Sequence, residues 1–433
     1  MKFPIIYDAD VCVIGGSCTG VFAAIRAARA GAKTVLIERN NCFGGTATAG
    51  LVNVWHTLKD VDGKEQIIFG LTDEVEQRLA RQGAVEIVNS DSVGCRFNSA
   101  RLSCLLDDMV TESGIKVLLH TSFVCAETDG DRIREITVVN KDGPGVIRAA
   151  FFIDATGDGD VASFIGLEKY RHAALQPPSS CFLLRGTTAG VNIGKLIQEH
   201  GAEFGLDDDW GWGGPIPGVD GVSFRADNHV FGVDCSCADD LTRAEMHGRR
   251  QARAFTDLLK TYVGEQYEMV ATCSSIGVRE TVHYRTRFAA DEHSLLTGKD
   301  YPDTVMRGTY RVDIHHQHDN GITFKYLTGK TETHYGKGSG TVVGNWRRDL
   351  GMDENYAKFY SVPFSILVQE KYANFIPVGR MLDADEGAFG ALRVMVNLNQ
   401  LGEAAGTAAA LCVASDSDIR TLDGVRVRKA LGL

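Results

Sequence analysis

One segment near the N-terminus constrains the fold more than any other part of this sequence. An apolar run at residues 9–14 leads into a glycine-rich turn at residues 15–20, and small and apolar residues follow the turn. A second apolar run at residues 34–37 ends at Glu38. Short apolar runs on either side of a helical stretch are typical of buried parallel strands, and Gly31 stands where that helix is expected to end. The segment therefore predicts a strand, a tight turn, a helix and a return strand.

The turn matches the dinucleotide-binding fingerprint Gly-x-Gly-x-x-Gly, except that Ser17 takes the place of the second glycine. Gly15 permits the sharp turn out of the strand, and Gly20 lets the helix pack closely against the sheet. The N-terminus of the helix offers N–H groups and a partial positive charge to a pyrophosphate, and serine is small enough to be tolerated beside that anion. Glu38 ends the second strand, where its carboxylate can accept hydrogen bonds from a ribose diol. The alternative is a glycine turn in a β-α-β unit that binds no ligand.

Composition and charge exclude several classes of protein. The chain of 433 residues is 44% hydrophobic and carries a formal charge of −11, so it is globular and lacks the broad basic surface that nucleic acid or anionic lipid requires. The N-terminal residues do not resemble a signal peptide, and no apolar run reaches the length of a bilayer span. The 11 cysteines are scattered and odd in number, which favours reduced thiols over a disulfide framework. We expect a cytoplasmic protein whose partner is a small-molecule substrate, with no nucleic acid, no membrane and no indicated oligomeric state.

Strand-like runs between residues 116 and 153 are separated by turns at residues 129–131 and 141–145. Gly, Pro and Asp between β-rich runs are typical of hairpins. This region therefore predicts a β-meander inserted in a parallel-sheet domain.

The remaining chain predicts a second domain and a return to the first. Regular patterns are lost over residues 167–365, which we assign to a domain that covers the substrate, whereas small residues with helical character return at residues 401–412. We predict an α/β fold. A Rossmann-like dinucleotide-binding domain with the inserted meander is formed by residues 1–166 and 366–433, and a second, α+β domain is formed by residues 167–365.

Several blocks in order along the chain resemble the FAD-dependent oxidoreductases of the glutathione-reductase type, and specifically the branch known as the general FAD-dependent oxidoreductase family. The blocks are residues 10–38, residues 41–48 (NCFGGTAT), residues 153–160 (IDATGDGD), and the C-terminal stretches 375–380, 392–394 and 402–410. The resemblance implies that the Rossmann-like domain binds FAD.

The resemblance also implies which residues contact FAD. The second glycine turn is expected near the phosphates and the ribityl chain, and Val124 near the adenine through its main chain. The amides of a helix that begins at Arg393 would face the pyrimidine edge of the flavin, where they would stabilise the negative charge that accumulates on reduction. The expected FAD contacts are Gly15, Gly16, Ser17, Cys18, Thr19, Gly20, Glu38, Arg39, Gly44, Gly45, Thr46, Ala47, Val124, Ala155, Thr156, Gly157, Asp158, Gly379, Arg380, Arg393 and Val394.

Two subclasses of flavoprotein are tested by the residues after the second glycine turn. Disulfide reductases carry a Cys-x4-Cys pair there, but residues 46–51 read TATAGL, which excludes that chemistry. A histidine near this turn holds FAD covalently in fumarate-reductase-type proteins, and His56 lies outside the matching position, so we expect non-covalent FAD. We expect Cys42, Cys235 and Cys237 to be packed thiols rather than redox groups. The glycine-rich stretch 336–340 lacks the preceding apolar strand of a second nucleotide site.

The pair Asp313 and His315 is the candidate acid–base group. On a strand the two side chains lie on one face, where the carboxylate can orient the imidazole for proton transfer, and the family often carries Asp-x-His here. A metal site formed by His315, His316 and His318 is opposed by strand alternation, which turns His316 to the other face, so we predict no metal. Packing or surface roles for His315 are the alternative.

Arg279 is the third candidate catalytic residue, in the segment IGVRET that the family shares. Its planar guanidinium suits a substrate carboxylate, and the alternative is a structural ion pair centred on Arg279 and Glu280.

These features lead to one functional hypothesis and two rivals. The main hypothesis is an FAD-dependent oxidoreductase that transfers a hydride between a small organic substrate and non-covalently bound flavin. The rivals are a flavin-assisted lyase or isomerase without net redox change and a protein in which FAD is structural.

Overall fold

The computed structural model describes residues 3–88, 90, 93–207, 211–318, 321–335 and 340–433, so residues 336–339 of the glycine-rich stretch lie outside it. The strands are β1 (Ile5–Ile14), β2 (Thr34–Ile37), β3 (Val54–Trp55), β4 (Val85–Ile87), β5 (Cys95–Phe97), β6 (Lys116–Leu118), β7 (Ser122–Asp129), β8 (Arg132–Asn140), β9 (Gly143–Asp154), β10 (Lys169–Tyr170), β11 (Phe182–Arg185), β12 (Trp212–Pro215), β13 (Val222–Ala226), β14 (Glu268–Thr272), β15 (His283–Tyr284), β16 (Thr304–Gly308), β17 (Val312–His315), β18 (Ile322–Lys325), β19 (Lys330–His334), β20 (Thr341–Asn345), β21 (Tyr360–Pro363) and β22 (Phe375–Pro377). The helices are α1 (Cys18–Arg29), α2 (Leu71–Arg81), α3 (Ser99–Glu112), α4 (Asp160–Phe164), α5 (Ile193–His200), α6 (Ala238–Tyr262), α7 (Glu292–Leu296), α8 (Trp346–Asp349), α9 (Glu386–Leu392), α10 (Met395–Ser415) and α11 (Gly424–Leu431), with short 3-10 helices at Gly45–Ala47, Gly201–Phe204, Phe364–Leu367 and Ile419–Thr421.

The main sheet is organised around β9. Its parallel part has the order β6-β2-β1-β9, and β22 pairs in parallel with the last residues of β9. The first half of β9 instead pairs antiparallel with β8, which pairs with β7. One strand thus belongs both to a Rossmann-like parallel sheet and to the meander, and the predicted α/β fold class is confirmed.

The N-terminal β-α-β unit follows the sequence pattern closely. Ser17 is the N-cap of α1, and its side chain accepts a hydrogen bond from the N–H of Gly20 at 3.4 Å. Such a cap satisfies one of the free N–H groups of the first turn. Gly31 follows the helix at φ +95°, a conformation that favours glycine, and the return strand then starts at Thr34.

Helices α1 and α10, which are far apart in sequence, contact each other through glycine. A Cβ atom on Gly402 would lie 2.2 Å from the carbonyl oxygen of Thr19, and one on Gly406 would lie 2.0 Å from that of Ala23. Both contacts advance along the two chains in the same direction, so the helices run parallel. The absence of side chains at these positions allows the backbones to approach.

The region between residues 167 and 365 is built from small antiparallel sheets and helices. One sheet has the order β12-β13-β11-β14, and α6 packs on it through Phe255, Leu258 and Leu259. A second sheet has the order β17-β18-β19-β20. Strands β16 and β21 contribute Val305, Val362 and neighbouring side chains to the same hydrophobic core as α1 and α10. The boundaries at residues 166 and 365 remain a prediction.

Among the described residues, no helix combines the length and the apolar character that crossing a membrane requires.

Gly406→Ala is expected to lower the free energy of unfolding by about 1–3 kcal/mol, because the added methyl group would force α1 and α10 apart. Gly194→Ala in α5 is the matched control, because the nearest atom to its added methyl group is 3.9 Å away. Helix propensity alone predicts a gain of up to about 1 kcal/mol for that control. Thermal unfolding of both FAD-loaded variants measures the difference, and equal stability would contradict the close helix contact.

Candidate functional site

A cavity of about 750 Å³ opens where the carboxyl ends of β1, β2 and β9 meet the start of α1. Crevices at the carboxyl ends of parallel strands are the usual ligand sites of open α/β sheets, and their volumes are typically about 300–1,000 Å³. The predicted site residues that line it are Gly15, Ser17, Cys18, Thr19, Glu38, Arg39, Gly44, Gly45, Thr46, Ala155, Thr156, Gly157, Asp158, Arg279, Asp313, His315, Gly379, Arg380, Arg393 and Val394. Segments from three distant parts of the chain therefore share one cavity.

Four of the expected FAD contacts are not among the lining residues. Gly16 and Gly20 lie within the turn, where a Cβ atom on Gly20 would be 1.9 Å from the carbonyl oxygen of Gly15. Ala47 is fully buried in the second glycine turn. Val124 is 49% exposed on β7, and the preceding residues 121–123 line the cavity in its place. Gly16, Gly20 and Ala47 therefore shape the two glycine turns without lining the cavity. On the side of β7, the cavity wall is formed by the residues just before Val124.

The two glycine turns form one cradle. Gly15 has φ +101° and Gly44 has φ +105°, which only glycine adopts readily. The N–H of Gly44 donates to the carbonyl of Gly16 at 2.8 Å, and a Cβ atom on Gly45 would lie 3.0 Å from that of Ser17. The missing side chains leave room for a phosphate beside the N-terminus of α1, whose N–H groups favour an anion.

Glu38 is buried at the edge of this cradle. Its Oε2 accepts from the N–H of Gly16 at 2.6 Å, and its Oε1 accepts from the N–H of Asn40 at 2.7 Å. A carboxylate at this position therefore holds the first turn in place as well as facing the cavity.

Arg380 is fixed on the opposite wall. It donates to Asp158, and its Nη1 donates to Oγ1 of Thr281 at 2.6 Å, while Thr281 in turn donates to Asp158 at 2.8 Å. Burial alone would raise the pKa of Asp158, but the charge of Arg380 and the hydrogen bond from Thr281 hold that pKa below its usual value. The ionised pair joins the strand end after β9, the late strand end after β22 and the second domain.

The Asp313–His315 pair lies on the cavity wall as the strand pattern predicts. His315 Nε2 is 3.0 Å from Asp313 Oδ1, and His315 Nδ1 is 2.7 Å from Nε2 of His229. Tyr310 donates its hydroxyl to Asp313 Oδ2 at 2.6 Å, and a guanidinium nitrogen of Arg393 is 3.6 Å from the same oxygen. A chain of exchangeable protons therefore runs along this wall.

Burial has the largest effect on the pKa of both members of the pair. It would raise the pKa of Asp313, but His315, Arg393 and Arg311 hold that pKa well below its usual value. Burial also lowers the pKa of His315 well below 6.5, and the charge of Arg279 lowers it further. Because Arg393 and Arg311 stabilise the carboxylate, the pair at neutral pH is an ionised aspartate beside a neutral imidazole that can accept a proton.

Arg279 also faces the cavity. It donates to the carbonyl of Pro177 at 2.6 Å and to Oγ of Ser179 at 2.8 Å, which fix its orientation. Glu280 instead contacts His172 and His283. Arg279 and Glu280 thus contact other residues, in contrast to the structural ion pair centred on them that was the alternative.

Several lining residues have no motif that could identify them. They come from turns and hairpins that only the tertiary fold brings to the cavity, and they include Trp55, His56, Trp212, Tyr310, Arg311, Phe324, His334 and Asn399. The one available signal was position, since Tyr310 and Arg311 directly precede the Asp-x-His segment.

The cavity wall contains buried polar atoms that lack a hydrogen-bond partner within the described part of the chain. Buried polar groups are otherwise almost always paired, so these atoms indicate that a bound molecule supplies partners. They are Trp55 Nε1, His56 Nε2, Arg311 Nε, Arg393 Nε and Asn399 Oδ1. The glycine cradle and this polar wall together fit a dinucleotide with a polar ring system.

The three cysteines considered for redox roles differ in their surroundings. Cys235 lines the cavity, and burial raises its pKa to about 12, so it is a protonated thiol at neutral pH. Cys42 is partly buried, with Sγ 3.9 Å from Oγ1 of Thr48. Cys237 is exposed, so the expectation of a packed thiol is wrong at that position.

The sequence pattern of the FAD dependent oxidoreductase family matches residues 10–431. This chain belongs to that family. FAD is thus the cofactor of this protein, and the protein is an FAD-dependent oxidoreductase.

Individual relatives are distant. The mitochondrial dihydrolipoyl dehydrogenase of Schizosaccharomyces pombe is 29% identical over 336 residues, which are 71% of this chain and 60% of that protein, so the match spans less than two thirds of the relative. A geranylgeranyl bacteriochlorophyll reductase-like protein from Thermoplasma acidophilum has a TM-score of 0.49 and 12% identity, covering 98% of this chain and 83% of that chain. A myxobacterial chondrochloren halogenase has a TM-score of 0.48 and 13% identity, covering 98% and 78%.

Glu38→Ala is expected to weaken FAD binding at least about tenfold, because the first glycine turn loses the hydrogen bond from the N–H of Gly16 to the carboxylate, which is worth about 1.5–3 kcal/mol. Titration of FAD into the apoprotein, followed by quenching of flavin fluorescence, gives the dissociation constant. Glu127→Ala on the exposed part of β7 is the control and should bind FAD like the wild type. Unchanged affinity in Glu38→Ala would refute this role of the carboxylate.

Proposed function

We propose that this protein transfers a hydride between a small organic substrate and non-covalently bound FAD. The observation that carries the proposal is the position of the Asp313–His315 pair in the same cavity as both glycine turns and the start of α10. A flavin site with a neutral imidazole on its wall has the two parts that oxidation of a C–H and O–H or N–H group requires, namely a hydride acceptor and a proton acceptor.

The residues that would hold FAD divide by chemistry. The cradle at the start of α1 and the second glycine turn suit the pyrophosphate, and Glu38 suits the ribose. The predicted helix begins at Met395 rather than at Arg393, because Arg393 ends α9 and its N–H donates to the carbonyl of Phe389. Val394 and Met395 place the N-terminus of α10 at the cavity, where it favours negative charge. FAD, when bound, supplies the hydride-accepting centre.

Side chains of the cavity wall would bind the substrate and accept its proton. Because Nε2 of His315 faces the Asp313 carboxylate, the proton would be accepted at Nδ1 through the hydrogen bond with Nε2 of His229, and the ionised Asp313 would stabilise the resulting imidazolium. Tyr310 and Arg393 hold Asp313 in position. Arg279 lies on the same wall and supplies a cation for a substrate carboxylate, which would orient the substrate.

His315→Asn is expected to slow reduction of the flavin by substrate about 100-fold to 10,000-fold, the usual contribution of a general base. His316→Asn is the control, because His316 contacts Thr323 and is not among the lining residues. Stopped-flow absorbance under anaerobic conditions measures the rate, and FAD content shows that each variant is folded. Equal rates in both variants would exclude His315 as the base.

The same measurement has an expected pH dependence. The pKa of His315 is well below 6.5, so the imidazole is neutral from that pH upward and protonated only at much lower pH. The wild-type rate of flavin reduction should therefore be constant above pH 6.5 and should fall on the acid side. A rate that rises as the pH is lowered would contradict a basic role.

An anaerobic screen of small metabolites against the FAD-loaded protein tests the reaction itself. Loss of flavin absorbance with a carboxylate-bearing alcohol or amine is the expected result, and its product should be two electrons more oxidised. Turnover with the flavin remaining oxidised would instead indicate a lyase or isomerase. If no compound or reductant changes the flavin, FAD is structural.

A further inference from the structure

His172, Glu280 and His283 form a cluster outside the flavin cavity, here called the His–Glu–His cluster. Oε1 of Glu280 is 2.6 Å from Nδ1 of His172 and 3.1 Å from Nε2 of His283. Glu280 is 2% exposed and His283 is fully buried, whereas the side chain of His172 is 12% exposed. None of the three is among the residues that line the cavity.

The cluster joins three segments of the chain. Strand β10 leads to His172, and it pairs with β15, which begins at His283. The outer nitrogens of the rings contact the segment that follows β22: His172 Nε2 is 3.0 Å from the carbonyl oxygen of Ala384, and His283 Nδ1 is 2.9 Å from that of Leu382. The cluster therefore lies where the second domain meets the end of the main sheet.

The atoms that face one another in the cluster are hydrogen-bond acceptors without a proton between them. A backbone carbonyl only accepts hydrogen bonds, so each outer nitrogen must carry the proton of its ring. In a neutral imidazole the other nitrogen is then a lone pair, and both lone pairs point at a carboxylate oxygen. Oε1 of Glu280 faces both ring nitrogens while Oε2 accepts from the N–H of Gln176, so the carboxylate oxygen between the rings is an acceptor as well.

The lone pairs of His172 Nδ1, His283 Nε2 and Glu280 Oε1 point at one another and repel. Positive charge between them is needed to offset this repulsion. Protons could supply it only by making both rings imidazolium ions, with ring centroids 4.4 Å apart and one ring fully buried. Repulsion between the two charged rings and the complete burial of His283 disfavour that state. A divalent cation places the same charge at the point where the lone pairs meet.

We propose that the His–Glu–His cluster binds a divalent transition-metal ion through His172 Nδ1, His283 Nε2 and a carboxylate oxygen of Glu280. Imidazole and carboxylate are the ligands that Zn²⁺ and similar ions prefer. The surrounding contacts are those of a metal site, because each ligating histidine donates its other N–H to a backbone carbonyl, and Oε2 of Glu280 is oriented by the N–H of Gln176 at 2.9 Å. His172 reaches the surface, so it gives the ion a route of entry and is the ligand that can move outward as the ion enters.

The ion would have a structural role at the domain junction. It would tie β10 and β15 to the segment at residues 382–384, directly after Arg380 of the flavin site. This proposal does not depend on the reaction proposed above.

Metal content of the FAD-loaded protein tests the site. The protein is treated with a chelator, incubated with an equimolar amount of Zn²⁺, freed of unbound ion by gel filtration and analysed by mass spectrometry for zinc. About one ion per chain is expected for the wild type, and a loss of about 10-fold or more in zinc affinity is expected for His172→Gln. His293→Gln, which changes an exposed histidine of α7, is the matched control and should retain the ion.

Flavin absorbance and X-ray absorption distinguish loss of the ion from misfolding and from binding at another site. The flavin absorbance of each variant shows that it is folded, and Glu280→Gln provides a second variant if His172→Gln fails to bind FAD. X-ray absorption at the zinc edge should show two imidazole ligands and oxygen donors. A wild type that holds no zinc would mean that protons fill the cluster, and equal zinc in wild type and His172→Gln would mean binding elsewhere; either result overturns the proposal.

Discussion

The contact between α1 and α10 is the constraint on which the flavin site depends. Gly402 and Gly406 lack the side chains that would otherwise separate the two backbones, and the order of their contacts with Thr19 and Ala23 shows that the helices run parallel. Their N-termini therefore point toward the same cavity, one at the first glycine turn and the other at Val394 and Met395. Two partial positive charges converge where an anionic cofactor binds, although the helices are separated by nearly the whole sequence.

The elements with local signals could be predicted from the sequence. The first apolar run, the glycine turn and the return strand each depend on residues that are close in the chain, and the structure places them with the predicted boundaries at Thr34–Ile37. The Asp313–His315 pair was accessible for the same reason, because strand alternation brings the two residues to one face.

Contacts made by tertiary folding could not be predicted in this way. Trp212 reaches the cavity from a separate antiparallel sheet, and no periodicity or motif relates it to the flavin cradle. Val124 shows a related limit. The resemblance locates a strand near the adenine, but the residues that face the cavity precede Val124, and that offset depends on how β7 pairs with β8, where the register shifts between Phe123 and Cys125.

The double role of β9 has a consequence for how the chain is made. Its first half pairs with β8, which directly precedes it in the chain. Its last residues pair with β22, which lies more than 200 positions later. During synthesis on the ribosome the meander can form early, while one edge of the parallel sheet and the surface that α10 covers stay open until the C-terminal segment has emerged. Such distant pairing slows folding and leaves apolar surface of the nascent chain exposed to aggregation in the interval.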